Sequence, residues 1–148
     1  ELSYPLHIII RYEIERMIFT EDVDIDRLPE IWNKKYEEYL GLTPPTYSEG
    51  ILQDTHWSYG EFGYFPSYAI GSAVAAQLYA KIKEVMPFED YLKEGNLLPI
   101  REYLRNNIHK YGATKNTNQI LLDVTGEEFN ADYYVKYLKE KYEKLYEL

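Results

Sequence analysis

Apolar residues return at intervals of three and four along almost all of this chain, and where that rhythm lapses a glycine or a proline stands in the gap. Leu28, Ile31, Trp32, Tyr36, Tyr39 and Leu40 form one such stripe, and Gly41 follows where a left-handed helix cap belongs. Pro66 suits the first turn of a second helix that runs through Ala69, Ala73, Ala76 and Ala80 to about Val85, and Pro87 ends it. No stretch alternates apolar with polar residues as a half-buried strand would. The fold class predicted is therefore all-α.

The same reading predicts five further helices. They are Leu6–Phe19, Phe88–Glu94 stopped by Gly95-Asn96, Leu98–Tyr111 stopped by Gly112, Thr117–Thr125 before Gly126, and a last one from Asn130 or Ala131 to Leu148. Glu21–Asp26 reads as an acidic connection, and Thr43-Pro44-Pro45-Thr46 as a break. Between that break and Pro66 lies a loop-like segment unusually rich in chemistry: Gln53, Asp54, His56, Trp57, Phe62, Tyr64 and Phe65. A scaffold that holds such side chains on a loop commonly points them at a ligand.

Composition narrows the function. With 148 residues, 45% of them hydrophobic, the chain can bury a core, and residues 1–148 are expected to form one all-α domain or part of a larger one. A net charge of −9 argues against nucleic acid and against an anionic membrane surface. The absence of cysteine excludes disulfides and thiolate metal sites. The uncharged run Phe62–Ala80 carries Gly, Pro, Ser and Tyr and reads as a buried helix, not a membrane span. The chain opens Glu1-Leu2-Ser3 without methionine, which reads as a processed chain or a proteolytic piece.

Three groups of residues carry candidate chemistry. His7 and Arg11, four apart, share a helix face among Leu6, Ile8, Ile9, Ile10 and Ile14. A helix apolar on nearly every side is expected to be buried, and a buried guanidinium needs an anion. Read from the residues alone, that anion is an internal one, Glu13 or Glu15; the sharper reading is a ligand carboxylate, which guanidinium grips with two parallel bonds. Second, Gln53, Asp54 and His56 put a histidine beside a carboxylate, an arrangement that shuttles protons or merely caps a loop. Third, Gly63 and Pro66 hold Tyr64 and Tyr68, whose hydroxyls can donate to a developing oxyanion or simply pack. A metal site fails on sequence: there is no His-Glu-x-x-His, and His7, His56 and His109 stand far apart, with His109 read as a surface residue.

Four stretches taken in order resemble the carboxypeptidase Taq family, the thermostable zinc metallocarboxypeptidases. They are Tyr4-Pro5-Leu6-His7 through Arg11 to Glu15; Leu28-Pro29-Glu30-Ile31-Trp32-Asn33 with Glu38-Tyr39-Leu40-Gly41; Gly50-x-x-Gln53-Asp54-x-His56-Trp57; and Gly60-x-Phe62-Gly63-Tyr64-Phe65-Pro66-Ser67-Tyr68 with Ala75-Ala76-Gln77. The resemblance implies the C-terminal helical portion of a larger, mostly helical, zincin-type peptidase that is often dimeric, cytoplasmic, and releases single residues from peptide C-termini. It implies zinc, or cobalt, held by histidines and a glutamate upstream of the matched region, so that no metal is expected on this chain and the chain alone is expected to be inactive. Its implied partners are peptide C-termini, the missing N-terminal part of the same enzyme, and a second copy. Carried over residue by residue, Arg11 binds the substrate carboxylate and His7 supports it, with Gln53 and Asp54 beside it; His56, Tyr64 and Tyr68 stand near the scissile carbonyl. Without hydrolysis, the same residues describe a helical module that binds peptide C-termini or mediates oligomerisation.

Overall fold

A computed structural model describes residues 1–148 as seven α-helices with no strand. They are α1 (Tyr4–Thr20), α2 (Leu28–Leu40), α3 (Pro66–Val85), α4 (Phe88–Lys93), α5 (Leu98–Asn107), α6 (Thr117–Thr125) and α7 (Asp132–Tyr146). The all-α prediction holds, and so do the predicted starts of α2 and α3 at Leu28 and Pro66. The chain divides into two compact units, residues 1–70 and 71–148.

In the first unit α1 packs on α2. Ile10 and Ile14 meet Trp32 and Tyr36, and Ile18, Leu28, Ile31, Tyr39, Leu40, Ile51 and Trp57 close the cluster. The stripe spacing of α2 accounts for this directly, since Trp32 and Tyr36 are one turn apart and their rings stack at 4.8 Å. Gly41 ends α2 at φ 67°, as the sequence predicts. A polar clamp on the flank adds to the packing: Glu13 accepts from Lys35 Nζ at 2.6 Å and from the Tyr39 hydroxyl at 2.9 Å. The hydrogen bond from Lys35, outweighing partial burial, holds the Glu13 carboxyl below its usual range.

Two expectations need correction here. α1 is not buried all round. Ile8, Ile10, Arg11, Ile14 and Glu15 face inward, whereas Ile9, Tyr12 and Phe19 lie exposed on the other side, because the helix has packing partners in this unit along one flank only. The acidic connection is also not featureless. Asp24 accepts from the Asp26 amide and starts a 3₁₀ turn over Ile25–Arg27 that leads into α2.

In the second unit the inner face of α3 meets α7. Ala73 and Ala76 pack on Tyr134 and Leu138, with Tyr133, Tyr137 and Tyr142 alongside. Small residues on α3 let the tyrosine rings of α7 lie close. Gln77 is fully buried and fully used: Nε2 donates to the Glu128 carbonyl at 2.9 Å and to Thr125 Oγ1 at 3.4 Å, and Oε1 accepts from the Asn130 amide at 3.0 Å. It thereby stitches α3 to the connection between α6 and α7. α6 opens on a reciprocal capping box between Asn116 and Gln119.

The helix predicted to run from Leu98 to Tyr111 stops at Asn107. Asn107 donates its side-chain amide to the Tyr103 carbonyl at 2.8 Å, and Ile108 leaves helical geometry at φ −129°, ψ −65°. A separate 3₁₀ turn covers His109–Tyr111 before Gly112. His109 is exposed, as expected. No helix is long and apolar enough to cross a membrane.

Candidate functional site

The site lies within the first unit, and its floor is α1. His7 and Arg11 come one turn apart on the side of α1 that faces α2 and the loop before α3. Arg11 is buried, and its guanidinium carbon sits 4.9 Å from the Trp32 ring centroid and 5.4 Å from that of Phe65. The aromatic faces accept the cation where water is excluded. A narrow cavity between Arg11, Trp32, Ile51, Asp54, Trp57 and Phe65 has no room for a water molecule.

The anion beside Arg11 is neither Glu13 nor Glu15, which corrects the internal pairing read from the residues. It is Asp54, whose Oδ2 stands 3.7 Å from Arg11 Nε. Glu13 is taken by Lys35 and Tyr39. Glu15 is buried and turned to the loop: its Oε1 accepts from Trp57 Nε1 at 2.7 Å and its Oε2 from the Gly63 amide at 3.0 Å. A side chain four residues from Arg11 on a helix can reach it, yet two loop donors claim this carboxylate instead.

That loop is shaped by two glycines. At Gly50 a Cβ would lie 3.1 Å from the Thr46 carbonyl oxygen, so any side chain there would press the turn open by a few tenths of an ångström. Gly63 stands at φ 79°, a left-handed conformation that aims its amide at Glu15. Between them Asp54 Oδ1 accepts from the His56 backbone amide at 3.0 Å and from His56 Nδ1 at 2.5 Å. Burial pushes the Asp54 carboxyl upward, but the hydrogen bonds from His56, and then the charges of His56 and Arg11, outweigh it and hold it below the ordinary range. With Nδ1 committed to Asp54, His56 presents Nε2 to the Tyr68 hydroxyl at 3.3 Å. The ring packs against Phe65 at 4.7 Å and stacks on Tyr64 at 5.9 Å. Burial first, and Tyr64 next, raise the Tyr68 phenol, so it remains a neutral O–H donor.

These groups open on one cleft of about 270 Å³, lined by Tyr4, His7, Ile8, Arg11, Asp54, His56, Phe65 and Tyr68. The donors that face it can be identified by elimination. Arg11 Nη1 donates to the His7 carbonyl at 2.9 Å and to the Tyr36 hydroxyl at 3.4 Å, while Nη2 has no protein partner. The only unpartnered, fully enclosed side-chain nitrogen or oxygen in the chain is Trp32 Nε1, so Arg11 Nη2 is not fully enclosed, and Arg11 is among the residues that line the cleft.

Of the residues singled out on sequence, Arg11, His7, Asp54, His56 and Tyr68 line the cleft together. Gln53 stands behind them, donating to the Tyr36 hydroxyl at 3.0 Å, and Tyr64 supports His56 from outside the lining. Sequence reasoning missed Tyr36 and Trp32 as members of the site, and it missed Glu15 as the anchor of the loop. Their stripe spacing marks Tyr36 and Trp32 as core and carries no sign that a site lies above them.

No three histidine, aspartate or glutamate side chains converge as a metal ion requires. His56 has carboxylates at both ends of its ring, Asp54 on Nδ1 and Glu61 4.0 Å from Nε2, so the two cannot share an ion with it. The residues of this chain do not fit a catalytic metal.

A model of the carboxypeptidase Taq (M32) metallopeptidase family matches residues 1–142. Carboxypeptidase 1 of Bacillus subtilis is 52% identical over 147 residues, which is 99% of this chain and 29% of that protein. A solved carboxypeptidase of Pyrococcus furiosus superposes with a TM-score of 0.91 at 42% identity, covering 95% of this chain and 28% of the other. The M32 carboxypeptidase of Deinococcus radiodurans does so with a TM-score of 0.95 at 34% identity, covering 100% of this chain and 30% of its own. The chain thus spans less than a third of the length of the relatives it matches. With the family model matching nearly its whole length and its helices superposing on a solved member, this chain belongs to the carboxypeptidase Taq (M32) metallopeptidase family.

Proposed function

We propose that this chain supplies the substrate-carboxylate side of the groove in a cytoplasmic, zinc-dependent carboxypeptidase that releases single residues from peptide C-termini with broad specificity. The observation that carries this reading is Arg11: a buried guanidinium that lines the cleft, braced by the His7 carbonyl, Tyr36 and Asp54, with Nη2 left without a protein partner. A C-terminal carboxylate docked on Nη2 gains a charge-assisted bond to a guanidinium whose other face lies against the Trp32 and Phe65 rings. Asp54 holds His56 with Nε2 toward the Tyr68 hydroxyl, and that hydroxyl, by turning its one proton away from His56, becomes a donor for charge that develops on the substrate carbonyl. These residues bind and orient; the metal is held outside this chain, and the chain alone hydrolyses nothing. The exposed stripe Ile9, Tyr12 and Phe19 supports burial of α1 against the rest of the enzyme or against a second copy in a homo-oligomer.

Titration with N-acetyl-alanyl-alanine and with its C-terminal amide tests the reading. The wild-type chain prefers the free acid, and Arg11→Met removes that preference while the far-UV spectrum stays helical. Equal binding of acid and amide by the wild type overturns it. The same cleft without hydrolysis describes a non-catalytic module for peptide C-termini. Release of the terminal residue by the chain joined to the remaining two thirds of a relative separates the enzyme from that module.

A further inference from the structure

The hydroxyl of Tyr36 is the meeting point of three side chains from three segments. Arg11 Nη1 lies 3.4 Å away, Gln53 Nε2 3.0 Å and His7 Nδ1 3.1 Å. A phenol oxygen has two lone pairs and one proton. Arg11 has only donors, and Gln53 presents its amide nitrogen, so these two occupy the lone pairs. The phenol proton is then left for His7, and His7 Nδ1 must accept it. An imidazole that accepts at Nδ1 carries its own proton at Nε2.

His7 Nε2 has no partner in the protein, and it is not among the enclosed unpartnered atoms. His7 lines the same cleft as Arg11, one helical turn away. Burial, and after it the Arg11 charge, hold the His7 imidazolium below its ordinary pKa, so the ring is neutral near pH 7 and carries one proton to place. The alternative tautomer would aim an Nδ1 hydrogen at an oxygen whose lone pairs are both taken, and would leave only a lone pair facing an anionic ligand.

We propose that Tyr36 is a positioning residue that fixes His7 as an Nε2–H donor, so that His7 and Arg11 Nη2 together hold the two oxygens of one carboxylate. The inference rests on Arg11 being the carboxylate site. It adds a second donor to that site and a residue behind both. Tyr36 touches no ligand; it acts by holding Arg11 and by choosing the proton position of His7. Phenylalanine at position 36 would keep the stack on Trp32 and lose only the hydroxyl.

The experiment uses the chain labelled with ¹⁵N at histidine. The three ring signals are assigned with variants at His7, His56 and His109, and N-acetyl-alanyl-alanine and its amide serve as probes. In the wild type His7 shows a pyridine-like Nδ1 and a protonated Nε2, and the Nε2 proton shifts on addition of the acid but not of the amide. Tyr36→Phe weakens acid binding about tenfold, the effect of one hydrogen bond to a charged group, and leaves amide binding unchanged. His7→Gln, whose amide reaches the Nε2 position, retains affinity, and His7→Asn, which reaches only Nδ1, loses about tenfold. A protonated Nδ1 in the wild type, unchanged acid binding in Tyr36→Phe, or equal affinity of the Gln and Asn variants overturns the proposal. If Arg11→Met weakens acid binding while these variants do not, the proposal alone fails. If Arg11→Met changes nothing either, the carboxylate site itself is refuted.

Discussion

Replacing Glu15 by leucine removes the anchor that holds the loop between Gly50 and Gly63 to α1. The carboxylate accepts from Trp57 Nε1 at 2.7 Å and from the Gly63 amide at 3.0 Å, and it is almost wholly enclosed. A hydrogen bond to a charged acceptor contributes about 1.5–3 kcal/mol, so the pair is worth roughly 3–6 kcal/mol before offsets. Two offsets reduce it. Leucine relieves the desolvation of a buried carboxylate, and the exposed Gly63 amide can turn to water. The half-buried Trp57 N–H has less access to solvent. The net loss expected is about 3 kcal/mol, or roughly 6–12 °C in Tm for a chain of this size. Glu15→Gln keeps one acceptor oxygen and turns an amide donor toward the other loop donor, for a smaller loss of about 2 kcal/mol. Urea unfolding followed by tryptophan fluorescence reads this directly, because the two tryptophans, Trp32 and Trp57, both lie in the first unit. If Glu15→Leu unfolds within about 0.5 kcal/mol of wild type, the carboxylate does not hold the loop and the argument fails.

Asp54 links the site to acid stability. Its folded pKa is depressed, so its contribution is complete above the ordinary aspartate value of about 4 and is lost as pH falls through the folded value. Asp54→Asn is therefore less stable than wild type near neutrality and shows a shallower decline between about pH 5 and pH 2; parallel declines would contradict this. In the second unit, Gln77→Leu strips three partners from a fully enclosed amide and leaves the Asn130 N–H and the Glu128 carbonyl to find water. The expected loss is about 2–3 kcal/mol by far-UV circular dichroism in urea, and a change under about 0.5 kcal/mol would show that the stitch is dispensable.

Much of the fold was legible because helices are local objects. The stripe Leu28 to Leu40, the cap at Gly41 and the start at Pro66 depend on residues within a turn or two of each other, and they appear where the spacing puts them. The misreading of α5 was local as well, but it turned on one side chain: Asn107 folds back on the Tyr103 carbonyl, and periodicity carries no trace of that choice. α1 was misjudged for a different reason. Its apolar residues run all round the helix, and which of them are covered depends on what packs there, not on the helix itself.

Sequence by itself determined the class of this chain, most of its helices, and which residues are candidates for a site: Arg11, Asp54, His56 and Tyr68, all in short motifs, line one cleft. What only the tertiary structure decided is who meets whom. Arg11 faces Asp54 and not Glu15; Glu15 holds Trp57 and Gly63 from 42 and 48 residues away; Tyr36 joins His7, Arg11 and Gln53. Spacing along a helix restricts each side chain to a face and leaves several partners within reach. Only the packed core, by burying some groups and requiring that each one find its hydrogen-bond complement, selects among them.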